Sequence, residues 1–100
     1  MKIQQNILFF RPYWEINIFP DMGGSLGIVN DTKHTAPNVY VLYSASIAKD
    51  LFAETKVIDN NVLRQKNNDF VDEFNKNDVI VLSTAGPTLG KDISFVKKYV

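Results

Sequence analysis

Residues 6–10 read NILFF: one asparagine, then Ile7, Leu8, Phe9 and Phe10 with no polar residue between them. Successive side chains of a strand point to opposite faces of its sheet. Four apolar side chains in a row therefore need cover on both faces, which is the situation of a strand in a parallel sheet packed between helices. Two more runs of this kind follow, KVIDN at 56–60 and DVIVLS at 78–83. Between and after them apolar residues recur at helical spacing. Strand and helix alternate, so the sequence predicts an α/β fold.

The first helix is expected over 37–52, with Pro37 in its first turn. Val39, Leu42, Tyr43, Ile47 and Leu51 form one apolar row, and Val41, Ala45 and Ala48 form a second. Two rows predict a well-buried helix. The second helix is expected over about 68–75, capped by Asn68 or Asp69, with Phe70, Val71 and Phe74 on one face. Its acids Asp69, Asp72 and Glu73 read as first turn and solvent face. The third runs from about Lys91 to the end of the chain. Right-handed crossovers then place the strands in spatial order 2-1-3, a three-layer, Rossmann-like (flavodoxin-type) partial parallel sheet. Such sheets hold about five or six strands. Three within 100 residues predict one partial domain over 1–100, a truncated one.

The totals narrow the function. Eleven basic and eleven acidic residues balance, and the densest basic site is Lys97-Lys98. No nucleic-acid partner is expected from that charge pattern. There is no cysteine. Disulfides, zinc knuckles and cysteine-held iron–sulfur clusters are therefore excluded within the chain, and a cytoplasmic location fits. No apolar run approaches the roughly 20 residues of a membrane span, and no signal peptide is visible, so no membrane partner is expected.

Residues 21–27, DMGGSLG, look at first like a phosphate loop. A dinucleotide fingerprint needs G-x-G-x-x-G directly between strand and helix, whereas this spacing is G-G-x-x-G and stands apart from both. The ending G-K-[ST] of a Walker loop is missing too. The glycines read as a turn inside a long excursion, residues 11–36, without convincing regular structure. Connections that long are usually functional or disordered. This one carries RPYWEINIF, whose aromatic and aliphatic residues need cover. It leaves the carboxyl end of the central strand, where open α/β sheets bind ligands, and is expected to fold over that edge.

The other two strand ends are polar. Asp59, Asn60 and Asn61 follow the second strand; Asp59 can accept a ribose hydroxyl or cap the next turn, and the cap is favoured. Ser83, Thr84 and Thr88 follow the third strand, with Gly86 and Pro87 shaping a tight turn between them. Three such tips on one edge predict a pocket of little charge, suited to a large neutral ligand. His34, with Asp31 three residues before it, reads as a solvated loop histidine rather than a ligand or catalytic group.

Taken in order, NILFFRPYW, a long loop, APNVYVLYSASIAKDLFAETKVIDNN and NDVIVLSTAGPT resemble the N-terminal cobalamin-binding domain of cobalamin-dependent radical S-adenosylmethionine enzymes. Pro37, Leu42, Tyr43 and Ala45 match that family's PPLGLLYLAAYL-like helix. Val57, Ile58 and Asp59 match its second strand, and Asp78, Val79, Ser83, Thr84, Pro87 and Thr88 its third. The resemblance implies a cobalamin-binding module rather than a self-sufficient enzyme. It implies Arg11 and Pro12 at the start of a loop over the corrin ring. It further implies Asp59, Asn60, Ser83, Thr84, Gly86, Pro87 and Thr88 as cofactor-binding residues. S-adenosylmethionine and an iron–sulfur cluster would belong to a downstream catalytic domain of the same protein. The Asp-x-His-x-x-Gly motif of many cobalamin carriers is not met by Asp31-Thr32-Lys33-His34, so no metal ligand is assigned. An open sheet edge would favour self-association. Two other readings stand beside this one. One is a nucleotide-binding Rossmann-like domain with Asp59 on a ribose. The other is a non-catalytic interaction domain docking through Tyr13 and Trp14.

Overall fold

The structure is a computed structural model. It describes every residue except 1, 14–17, 21–26, 30–38, 85–87 and 100, and only the backbone of 18–20, 27–29 and 39. Strand β1 (Ile3–Arg11) is followed by the short strands β2 (Ile18–Pro20) and β3 (Gly27–Val29). Helix α1 (Val39–Leu51) leads directly into β4 (Phe52–Asp59). Then come α2 (Asn60–Leu63), a 3-10 turn (Asn67–Phe70), α3 (Val71–Asn75), β5 (Val79–Leu82) and α4 (Leu89–Tyr99).

The sheet has the order β4-β1-β5, and both pairings are parallel. This is the expected 2-1-3 arrangement of a Rossmann-like α/β fold. Phe10 stands opposite Ile58 on one side and Leu82 on the other. The step from β1 to β4 and the step from β4 to β5 cross the sheet in opposite directions. Crossovers of one hand then have to lie on opposite faces, which produces three layers. Ile7 and Phe9 pack with Ala45 and Ala48 of α1 on one face, joined by Val41, Phe52 and Val79. Leu8 and Phe10 pack with Phe74 of α3 and Phe95 of α4 on the other, joined by Phe70, Ile80 and Tyr99. The consecutive apolar run of β1 is thus explained: alternate residues fill two different cores. Full burial of each such side chain contributes about 1.5–3 kcal/mol.

Several local expectations need correction. Helix α1 turns its second row to the sheet. Ala45 and Ala48 are buried, while Leu42, Tyr43, Ile47 and Leu51 of the other row are exposed, so the helix is buried on one face and not on two. Small residues let the helix sit close to the strands, which a row of Leu and Tyr would not. The helix also stops at Leu51, and β4 begins four residues before Lys56, at Phe52. The stretch 52–55 has no strand signal of its own; it is recruited by pairing with β1, Ile3 against Phe52 and Asn6 against Glu54. The second helix opens as a 3-10 turn from Asn67, and its cap position is Lys66 with no side-chain cap bond, not Asn68 or Asp69. The excursion 11–36 is not devoid of regular structure. Arg11 ends β1, and β2 pairs antiparallel with β3, Pro20 against Gly27. The glycine stretch therefore lies between paired strands rather than between a strand and a helix; residues 21–26 themselves are outside the described residues.

Candidate functional site at the carboxyl rim

The parallel register aligns the downstream ends of the three strands. Arg11 stands opposite Asp59, and the Ser83 backbone N–H donates to the Phe10 carbonyl at 2.9 Å. The segments after β1, β4 and β5 therefore leave from one edge. Each is tied down by polar groups that the fold itself uses.

At the first two tips, Arg11 Nε lies 3.4 Å from Asp59 Oδ1. Arg11 ends β1 and is only 5% exposed, so its side chain belongs to the interior; Pro12, the first residue past the strand, is buried as well. Burial lowers the Arg11 pKa against the pull of Asp59. Burial likewise raises the Asp59 pKa, against Arg11 and the N–H groups of Asn61 and Val62. Both directions say that desolvation outweighs attraction in this pair, as is common for buried ions. Asp59 also accepts from the Asn61 backbone N–H at 3.0 Å, capping α2. The carboxylate is engaged as the favoured reading expected.

Asn60 is fully buried and works as a brace. Its Nδ2 donates to the Gln65 carbonyl and to Asn67 Oδ1, each at 2.8 Å, while its Oδ1 accepts from the Gln65 N–H at 3.0 Å. Asn67 then grips the segment after β1. Tyr13 N–H donates to Asn67 Oδ1, and Asn67 Nδ2 donates to the Tyr13 carbonyl, both at 2.8 Å. Two side-chain amides thereby give partners to part-buried backbone groups of Tyr13 and Gln65. Arg64 closes this turn with φ 58°, its N–H donating to the Asn60 carbonyl at 2.6 Å.

At the third tip the Thr84 and Thr88 hydroxyls both donate to Asp92 Oδ2, the latter at 3.0 Å. Asp92 is 2% exposed. Residues 84 and 88, the two ends of the 85–87 segment, are thus held to one carboxylate on α4. Gly86 and Pro87 lie outside the described residues, as do Asp31, His34 and Trp14. Ser83 is half-buried at the end of β5. Sequence reasoning missed Asn67 and Asp92. Both are ordinary polar residues on helical segments, and only the fold brings them to the rim.

Beside the rim, a cleft of about 920 Å³ opens between the turn after α2 and helix α4. Arg64, Lys66, Lys91 and Lys98 line it, with no acidic residue among the described residues of the lining. The pocket of little charge expected over the strand tips is not this cleft, whose lining includes none of Asp59, Ser83, Thr84 and Thr88. The cations come from positions 64, 66, 91 and 98, too scattered to stand out along the chain. Among the described residues, no group of His, Cys, Asp or Glu could hold a metal ion, and no helix is long and apolar enough to cross a membrane.

Together the fold and rim define a small α/β domain with a ligand-type edge at the carboxyl ends of parallel strands. Comparison with models of known protein families, with curated proteins and with solved structures gives no match.

Proposed function

We propose that the chain is a cobalamin-binding module that carries the corrinoid over its carboxyl rim and works with a downstream catalytic domain of the same protein. The observation that supports this most is the meeting of three parallel strand ends on one edge, in the order β4-β1-β5, within the very segments that carry the family resemblance. The rim chemistry fits the group. Arg11 and Asp59 offset each other in charge, the Asp92 carboxylate is buried behind Thr84 and Thr88, and the other tip residues are amides and hydroxyls, which suits a large cofactor fringed with amides. Bound cobalamin would supply methyl transfer or related radical chemistry, with S-adenosylmethionine and an iron–sulfur cluster held by the downstream domain.

The chain's own residues orient and shield. The Arg11–Asp59 pair sets the spacing of the first two tips. Asn60 and Asn67 fix the course of the chain at Tyr13. Thr84, Thr88 and Asp92 hold the ends of the third loop, so these threonines act by shaping it rather than by reaching the cofactor. Ser83, half-buried just past the end of β5, is the candidate hydroxyl for direct contact because it stands at the strand end itself. A ribose on Asp59 is a poorer reading, because that carboxylate is already engaged by Arg11 and Asn61.

A visible-absorbance titration with hydroxocobalamin, followed by gel filtration, tests the proposal. A spectral shift and co-elution are expected; an unchanged spectrum with no co-elution overturns it. Self-association belongs to the same proposal, because among the described residues β5 pairs with β1 alone, leaving its outer edge open. A monomer at every concentration in sedimentation velocity ends that part.

A further inference from the structure

We infer that the cleft between the turn after α2 and helix α4 binds a phosphate ester carried beside a flat aromatic ring. The chain is neutral as a whole, yet four of its eleven basic residues line this one cleft and, among the described residues, no acid does. A concave site walled by one sign of charge concentrates the opposite sign. Lys66 and Lys98 make no ion pair among the described residues, and all four cations are exposed.

Aromatic surface lies between the cations. The Arg64 guanidinium stands over the Tyr13 ring at 5.9 Å, and Lys98 Nζ lies 5.2 Å from the Tyr99 ring centre. Rings and cations so mixed offer a stacking surface and anion donors to the same guest. One wall is set before the ligand arrives. Asn60 and Asn67 fasten the turn that carries Arg64 and Lys66, which limits the ordering cost of binding. The volume of about 920 Å³ is that of a site for a ligand of nucleotide or drug size.

This inference rests on the cleft and not on the corrinoid reading. A free nucleotide and the nucleotide tail of a corrinoid share the chemistry it selects. The test is calorimetric titration of the whole chain with ADP, adenosine and inorganic phosphate at fixed moderate salt. ADP is expected to bind, with adenosine and phosphate each weaker by about tenfold or more, the effect of about one charge-assisted hydrogen bond. Lys66→Glu and Lys98→Glu should each weaken ADP by about tenfold while the thermal melt stays unchanged, since both side chains are exposed. ADP binding no tighter than phosphate, or indifferent to both substitutions, overturns the inference. If ADP binds as expected, competition by hydroxocobalamin but not by cobinamide, which lacks the nucleotide tail, assigns the site to that tail. Absence of competition assigns it to a free nucleotide. ADP binding that persists where the hydroxocobalamin titration is silent leaves this inference standing and the corrinoid proposal fallen.

Discussion

Phe9 and Phe10 are chain neighbours on the central strand, yet they enter unlike cores. Phe9 meets a thin layer built on Ala45 and Ala48, with Val41, Phe52 and Val79 around it. Phe10 meets three rings: Phe74 edge-on at 5.0 Å, Phe70 at 5.3 Å and Phe95 stacked at 6.3 Å. The aromatic side also carries the elements that finish the rim. Asn67 lies in the 3-10 turn just before Phe70, and Asp92 lies one helical turn from Phe95. The difference teaches that one face of the sheet anchors the site while the other mainly covers the strands.

The largest expected effect tests this inequality. Phe10→Ala should cost about 4 kcal/mol in urea unfolding, because it leaves a cavity among rings that cannot collapse. Phe9→Ala should cost less by about 1 kcal/mol, since α1 presents small residues and can settle inward. Equal losses would break the comparison. Next comes Asn67→Ala, which strips partners from the Tyr13 backbone and from Asn60. We expect about 2 kcal/mol and faster amide hydrogen exchange at Tyr13.

A pH effect on the Arg11–Asp59 pair comes third. Burial holds the Asp59 pKa above its ordinary 3.8, so the folded chain keeps this proton to higher pH than the unfolded chain. Stability from this group is therefore full below the unfolded value and lost as pH rises through the raised one. Glu73 works the other way. Its pKa is lowered, first by the hydrogen bond from Lys56, so its contribution is present above the ordinary 4.5 and lost as pH falls through the lowered value. Subtracting an Asp59→Asn variant from the parent isolates the first slope. The parent should gain on the variant as pH drops toward about 4. A difference that stays flat or runs the opposite way contradicts the assigned burial. The smallest effect is on the outer side of α1, where Ile47→Lys should change stability by no more than about 0.5 kcal/mol. A large loss there would mean that the exposed row is covered after all.

Much of the architecture could be read in advance because the strands are apolar without interruption. That pattern fits only a sheet covered on both faces, and strand order then follows from handedness. The facing row of α1 could not be read. That helix is apolar nearly all round, so periodicity offers two answers, and the close packing at Ala45 and Ala48 decides between them. The early start of β4 was hidden because Phe52-Ala53-Glu54-Thr55 becomes strand only through its partner. Asp59 was legible as a cap, since an acid at a strand-to-helix junction has an N–H to meet. Thr84 and Thr88 were visible as polar but not as internally bonded, because their acceptor, Asp92, lies beyond them on another element. The basic cleft depends on two segments about 25 residues apart coming together.

The central claim is that the three strand ends form one rim that takes a bulky cofactor. Backbone amide resonances followed by NMR during titration with diamagnetic hydroxocobalamin test it most directly. The account predicts shifts concentrated at Tyr13, Asn60, Asn61, Ser83 and Thr84, with Gln4, Asp78 and Ile47 unmoved. Shifts gathered at the opposite ends of the strands, or none at saturating ligand, would contradict it.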